Sequence, residues 1–526
     1  MFSRIRSCSF RLGFADVLFV FFALTIMQYA SRGMMDDPGL GWHLRIPDVM
    51  VEQGGFVYEE YFSYPSTGNH WVTRAWLSDF VMRAAYGWGG LNGIAILTSL
   101  VFALTLRLIY CRLVQNRLHW LAAAAVTYFG LLAIVPSFLA RPNIFAFLGM
   151  WLVTDLLAQF HAGKLKHRQL LWLIPIMLLW ANMHGSFMAG IVLIAIAWIV
   201  EVAPAVLTSK RSRRALAVQR LYALTAYGAV AGLATLINPN GIGLHLYNLS
   251  AVTDPFIQNN STKEWLPPDL RSAGFFKIEL LILALPLLAA MCRKRINVVR
   301  LMVTIVWLHF ALTSRRYSTL WVILALPTLC EMAQGNPWIT KTLKRLREDM
   351  SDEVRDFLKT VSKWKGDSRK SAPQVISWAF AVGALLIAGI LPQFAQHHPQ
   401  RIPSASLNQF LEIHNGGRTF HDVNWGGYLT WKGWDQPNRF HTWIDDRIEV
   451  HGAEHLKDYF KIIRGEDGWQ QELNAAGVRY ICVGKGSLLA KAASRTDYWH
   501  HEYEDDYIVV FKNGQPNTPI AEAITF

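Results

Sequence analysis

Charge is scarce in this sequence. Only 17% of its 526 residues are Asp, Glu, Lys or Arg, against about a quarter in ordinary soluble domains. Hydrophobic residues reach 52%. That balance excludes intrinsic disorder and argues against an ordinary soluble enzyme. Cysteine is sparse as well: Cys8, Cys111, Cys292, Cys330 and Cys482 are scattered, with no CxxC or Cys/His zinc spacing. Only Cys482 lies in the polar last stretch, so that stretch holds no internal disulfide. There is no GxxxxGK[ST] loop to support an ATP-driven pump and no HExxH to support a zinc protease. No internal repeat is found, whereas transporters are often built from repeats.

Long apolar runs are what the sequence does have. Stretches long enough to cross a bilayer core fall near 15–30, 91–111, 119–137, 143–159, 170–183, 186–207, 221–238, 276–292, 298–313, 317–333 and 375–395. The expectation is a polytopic α-helical membrane protein of about eleven transmembrane helices. The 21 Trp residues suit interfacial aromatic belts. No small-residue cleavage site follows the first run, so it reads as a retained span.

The net charge of +13 comes from 51 Lys and Arg against 38 Asp and Glu. Its placement explains it. Basic clusters at Arg4–Arg11, Arg112–Arg117, Lys164–Arg168, Lys210–Arg214, Arg293–Arg295 and Lys341–Lys370 fall on one side if all eleven runs cross. The positive-inside rule makes that side cytoplasmic, so topology rather than nucleic acid accounts for the charge. The N-terminus and the charged segment 335–374 are then cytoplasmic. The loops 31–74 and 239–275, and everything after 395, are extracytoplasmic. Residues 396–526 read as a small α/β domain, with buried strands at 478–483 and 507–511 and amphipathic helices at 450–463 and 467–476.

Candidate chemistry gathers on the outer loops. Asp36 and Asp37 immediately follow the first span, where acids are costly beside hydrocarbon. They are candidates for a general base or a metal ligand, with Trp42 as an aromatic wall and His43 as a second proton or metal group. Arg141, Arg315 and Arg316 are basic residues on the face that the positive-inside rule leaves poor in them, which suggests an anion partner. His184 sits at a break between two apolar runs. Glu264 and Trp265, Trp425 and Asp446 add further carboxylate and aromatic groups on that side.

Asp37-Pro38-x-x-x-Trp42-His43-Leu44-Arg45 and Phe62-Ser63-Tyr64-Pro65-x-x-Gly68-x-x-Trp71-Val72-x-x-x-Trp76-Leu77 resemble the opening motifs of bacterial polytopic membrane proteins. That group is assigned to the GT-C glycosyltransferase superfamily, with protein O-mannosyltransferases, aminoarabinose transferases and oligosaccharyltransferases. The resemblance runs on through Arg141-Pro142-Asn143, Trp180-Ala181-Asn182-Met183-His184-Gly185, Asn238-Pro239-Asn240-Gly241, Glu264-Trp265-x-Pro267-Pro268-Asp269 and Arg315-Arg316-Tyr317. In the tail it covers Asn424-Trp425-Gly426-Gly427-Tyr428 and Ile444-Asp445-Asp446-Arg447. The pattern is broken at Gly39 and Gly41, where an acid and a second tryptophan are expected.

The resemblance implies a GT-C-like bundle in the bacterial inner membrane, with the site on the extracytoplasmic face. It implies a sugar carried on a polyprenyl phosphate, and a glycan, lipid or protein acceptor. A first-loop Asp serves as base, with a divalent metal such as Mg or Mn as a possible cofactor. Arg141, Arg316, Arg315 and His184 become candidates for the donor phosphate, because a departing phosphate needs fixed positive groups, and Trp42, Glu264, Trp265, Trp425 and Asp446 become candidates for contacting the acceptor. Two other readings follow from the same residues: a transporter or flippase for a lipid-linked glycan, and a non-catalytic subunit of an envelope assembly.

Overall fold

The computed structural model describes residues 13–253, 264–363, 375–436 and 439–514. The basic cluster Arg4–Arg11 and the end of the charged segment, residues 364–374, lie outside the described residues.

A helix falls on every one of the apolar runs. After α1 (Phe14–Met27), α2 (Leu40–Gln53) lies within the first loop. The bundle continues with α3 (Trp76–Gln115), α4 (Trp120–Ile134), α5 (Ile144–His161), α6 (Leu173–Met183), α7 (Phe187–Leu207) and α8 (Arg211–Ala234). A short α9 (Gly243–Thr253) precedes α10 (Phe276–Met291), α11 (Val298–Thr313) and α12 (Arg315–Gly335). Among the described residues, four helices are both long and apolar enough to cross a membrane: Trp76–Gln115, Trp120–Ser137, Ile144–His161 and Phe187–Leu207. The charged segment forms α13 (Pro337–Glu348) and α14 (Asp352–Lys363). Asn336 starts α13 by accepting from the amides of Trp338 and Ile339, with Pro337 at the first helical position.

The last run departs from expectation. Its helix, α15 (Val375–Ile387), stops well short of residue 395. The chain beyond it is strapped to α3, where the Asn92 side chain accepts from the amides of Phe394 and Ala395 and donates to the Pro392 carbonyl. Buried backbone groups need partners, and Asn92 supplies them in place of a helix. At this junction α3 itself bends, at Gly89 and Gly90.

Asp16, Arg107, Glu201 and Arg300, all buried within the bundle, are paired, as burial requires. At the end remote from α2, Asp155 of α5 bridges Arg112 of α3 at 2.6 Å and Arg300 of α11 at 3.1 Å. Arg300 also meets Glu331 of α12 at 2.5 Å.

The C-terminal region comprises α16 (Ser404–Ile413), β1 (Arg418–His421), α17 (Gly426–Gly433), α18 (Ile448–Ile463), α19 (Trp469–Ala475), β2 (Val478–Gly484), α20 (Leu488–Ala493), β3 (Trp499–Glu504) and β4 (Ile508–Asn513). The sheet order is β1-β2-β4-β3, with β1 parallel to β2 and the other pairs antiparallel. Alternate side chains point to opposite faces. Ile481, Val483, Val509 and Phe511 pack with α18, α19 and α20, while Tyr480, Cys482, Ile508 and Val510 pack with α16 and α17. Both faces are covered, which is why β2 and β4 read as continuous apolar runs.

This region is fastened to the first loop. The Tyr64 amide donates to the Thr442 carbonyl and the Thr442 amide to the Phe62 carbonyl, at 3.1 and 2.9 Å. Arg447 donates to Glu60 of the first loop at 2.5 Å and to Asp445 at 2.9 Å, all three fully or nearly fully buried. Its guanidinium lies 4.4 Å from the Trp71 ring centre. Two glycines let the backbones meet: a Cβ on Gly41 would stand 2.0 Å from the Gly427 carbonyl oxygen. Arg447→Met keeps the apolar stem but leaves Glu60 and Asp445 without their cation. We expect it to lower unfolding free energy in detergent by about 3–5 kcal/mol; an unchanged denaturation midpoint would show that the network does not hold the two regions together.

Candidate active site

Asp37 follows α1 at the turn into α2 and is 3% exposed. Its Oδ1 accepts from the Gly39 amide at 3.0 Å, a side-chain turn that opens the helix. Its Oδ2 accepts from Arg141 at 3.3 Å. Arg141 comes from the turn before α5, which the Ala140 amide ties to the Met34 carbonyl at 2.8 Å. The same guanidinium donates to both oxygens of Glu264, at 2.9 and 2.7 Å. Burial pushes the Asp37 carboxyl above its usual range, against the pull of Arg141 and His43. Burial also works to raise Glu264, but Arg141, Arg316 and Arg315 together outweigh it and hold that carboxyl low.

Asp446 enters from the C-terminal region. Its Oδ1 accepts from Trp42 Nε1 at 2.8 Å. A Cβ on Gly39 would stand 2.8 Å from Asp446 Oδ2 and 3.2 Å from Asp37 Oδ1, so the two carboxylates face one small space. The Trp42 and His43 rings lie against each other, with centres 3.6 Å apart and planes tilted by 33°. His43 Nδ1 is 2.6 Å from Asp79 of α3, a buried carboxylate that fixes the ring. A water-sized cavity lined by Trp42, Trp71, Arg74, Asp79, Arg447 and Glu449 lies behind these groups.

The basic groups gather on the other side of Arg141. Arg316 lies 4.3 Å over the Trp265 ring, and among the described residues it has no carboxylate partner within ion-pair distance. Its amide donates to the Glu264 carbonyl, which fixes the loop onto α12. Arg74 pairs with Glu449 at 2.7 Å. His184 sits between α6 and α7, and its Nδ1 accepts from the Ser186 amide at 3.1 Å. Burial, and then the charges of Arg74, Arg316 and Arg141, hold its basicity far below the ordinary value. It is therefore a neutral ring whose proton lies on Nε2.

The structure thus brings together Asp37, Trp42, His43, Arg141, His184, Glu264, Trp265, Arg316 and Asp446. It takes three expected residues elsewhere. Asp36 turns away: its Oδ1 accepts from the His398 amide at 2.7 Å. Arg315 is exposed and lies 5.1 Å over Phe275. Trp425 is 6% exposed in the C-terminal core, with its Nε1 donating to the Arg401 carbonyl, so it presents no surface for an acceptor. Arg74 and Asp79 belong to the site and were not expected. Arg74 carried a usable signal, since it too is an arginine on the outer side of the predicted topology. Among the described residues no three His, Cys, Asp or Glu converge as metal ligands. Asp36 and Asp37 diverge and Arg141 already occupies Asp37, so this donor set does not fit a divalent cation.

No protein-family model and no curated protein matches the chain. Solved structures do. The archaeal oligosaccharyltransferase AglB from Archaeoglobus fulgidus, in complex with an inhibitory peptide and a dolichol-phosphate, superposes with a TM-score of 0.57 at 10% identity, covering 97% of this chain and 75% of AglB. A second structure of the Archaeoglobus fulgidus oligosaccharyltransferase, with Zn and sulfate, gives 0.53 at 10% identity over 96% of this chain and 74% of that one. ArnT from Cupriavidus metallidurans bound to undecaprenyl phosphate gives 0.50 at 14% identity, over 94% of this chain and 97% of ArnT. The chain shares its fold with these two oligosaccharyltransferase structures and with ArnT.

Proposed function

We propose that this chain is a membrane glycosyltransferase. It moves a sugar from a polyprenyl-phosphate donor to an envelope glycan, lipid or protein acceptor on the extracytoplasmic face. The observation that carries the reading is the buried Asp37 carboxylate, held by Arg141 beside Arg316 and His184 at the mouth of an apolar bundle. A proton acceptor and an anion cradle are the two things such a transfer requires. Similar folds with a dolichol-phosphate and with undecaprenyl phosphate bound support the donor class.

In this reading the acceptor hydroxyl gives its proton to Asp37, and its oxygen bonds to the anomeric carbon. The bond from that carbon to the phosphate oxygen breaks, and its electron pair leaves on the phosphate. Arg316 suits that anion because its fork makes two parallel hydrogen bonds and no carboxylate competes for it among the described residues. Neutral His184 donates one more hydrogen bond through Nε2. Arg141 is committed to Asp37 and Glu264, so it reaches a phosphate only by giving up one of them. Trp265, half-buried, offers ring surface to the acceptor, whereas Trp42 is buried and acts through its N–H on Asp446. All eleven helical runs cross the membrane, with the N-terminus cytoplasmic and the C-terminal region outside; reporters fused after residue 400 are then active only in an extracytoplasmic format, and a cytoplasmic signal would reverse the assignment.

Two variants test separate parts of the site. Asp37→Asn keeps the shape but accepts no proton, and is expected to lower transfer by about 10²–10⁴-fold. Arg316→Lys keeps the charge without the fork, and is expected to raise the donor concentration needed for half-maximal transfer while leaving acceptor dependence unchanged. Wild-type rates in the first, or wild-type donor dependence in the second, would remove that residue from its role.

A further inference from the structure

The groups around Asp37 contain more carboxylates than cations. Arg141 is shared by Asp37 and Glu264. Arg447 is shared by Asp445 and Glu60. Arg74 is taken by Glu449. Asp446 has no cation partner among the described residues and accepts only from the neutral Trp42 indole. Its free oxygen turns into the space above Gly39 that Asp37 also faces. Two like charges in so confined a space do not both ionise easily.

We propose that Asp446 and Asp37 form a carboxyl pair that shares a single proton, so that the proton acceptor of the site is assembled from both regions of the chain. Glycine at position 39 is what admits the second carboxylate. The proposal rests on reading Asp37 as the proton acceptor. The resting proton lies on Asp446, because Arg141 stabilises the ionised form of Asp37. When the pair loses this proton, the two carboxylates repel, and either oxygen takes up the acceptor's proton readily. The proton affinity of such a pair belongs to both residues together.

The charged and titratable groups facing Asp446 agree with this. Asp37 of the first loop and Asp445 of its own loop raise its proton affinity. His43 of α2, through its charge, and the Trp42 N–H oppose them. Arg74 before α3 and Arg141 before α5 also act on it, but from within ion pairs of their own. Burial is the largest contribution, and the Asp446 carboxyl is pushed up to about 7. A base with that affinity is well matched to neutral conditions.

The test needs no substrate. Infrared difference spectra of the purified full chain in detergent, recorded across pH, follow the protonated carboxyl band. The expected result is a component that titrates near pH 7 in the wild type and is absent in Asp446→Asn. In Asp37→Asn that component persists, but its midpoint falls by on the order of one pH unit because the like charge is gone. Should Asp37→Asn fail to fold, Trp42→Phe probes the same group from its other oxygen. Loss of that N–H removes support from the ionised form, and the midpoint rises. A band untouched by Asp446→Asn, an Asp446 midpoint indifferent to a folded Asp37→Asn, or one indifferent to Trp42→Phe, would overturn the pair. Disappearance of the neutral-pH component on adding Mg²⁺ or Mn²⁺ would overturn it in favour of a bound cation. None of these outcomes depends on transfer activity, so the pair stands or falls separately from the proposed function.

Discussion

The buried contact of Arg447 with Glu60 and Asp445 is the constraint on which the rest of the site depends. A guanidinium removed from water needs full compensation, and neither region supplies it alone. Glu60 comes from the first loop and Asp445 from the C-terminal region, 385 residues further along the chain. Glu60 is itself oriented by the amides of Phe62 and Ser63, at 2.7 and 2.8 Å. His451 then connects Asp445 to Ser66 of the loop. The contact forms only when both partners are folded and docked. Asp446, next in the chain to Asp445, is carried to Trp42 by the same event. The geometry of the site is therefore a consequence of domain docking.

Once docked, the site divides into two electrostatic halves. Around Gly39 and Trp42, carboxylates are in excess and proton affinity is raised. Around His184, arginines are in excess and the imidazole is kept neutral. Arg141 lies between the halves and belongs to both. A proton acceptor on one side and an anion cradle on the other suit a reaction that takes a proton from one reactant and leaves charge on the other. In the proposed reaction, the apolar bundle below supplies the surface that a lipid-linked donor needs.

Much of this was legible in the sequence. Hydrophobic runs of bilayer length located a helix in every expected place, because in hydrocarbon the helix satisfies its own backbone. The continuous apolar runs of β2 and β4 also revealed themselves, being covered on both faces. The edge strands did not: β3, Trp499–Glu504, is mostly exposed and polar, and β1 spans only Arg418–His421. The end of α15 was missed although Gly389 and Pro392 signal it, because residues 388–395 stay largely apolar and the partner that holds them, Asn92, is distant in the chain. Within the site, Asp37, Trp42 and His43 declared themselves as polar and aromatic groups beside a span. The meeting of Asp37 with Asp446 was not readable, since nothing local encodes a contact between residues so far apart in the chain. Gly39 and Gly41 look like defects in the motif until the structure shows what approaches them. Trp425 misled for the reverse reason: a Trp in a Gly-rich turn suggests a binding surface, but its ring fills the core.

The most direct test of the central claim is mass spectrometry of lipid-linked sugars and envelope glycans in cells lacking this protein. The account predicts accumulation of a polyprenyl-phosphate sugar together with an acceptor missing one sugar, both reversed by the wild-type chain and not by Asp37→Asn. Unchanged profiles, or a complete lipid-linked glycan retained on the cytoplasmic face, would contradict it.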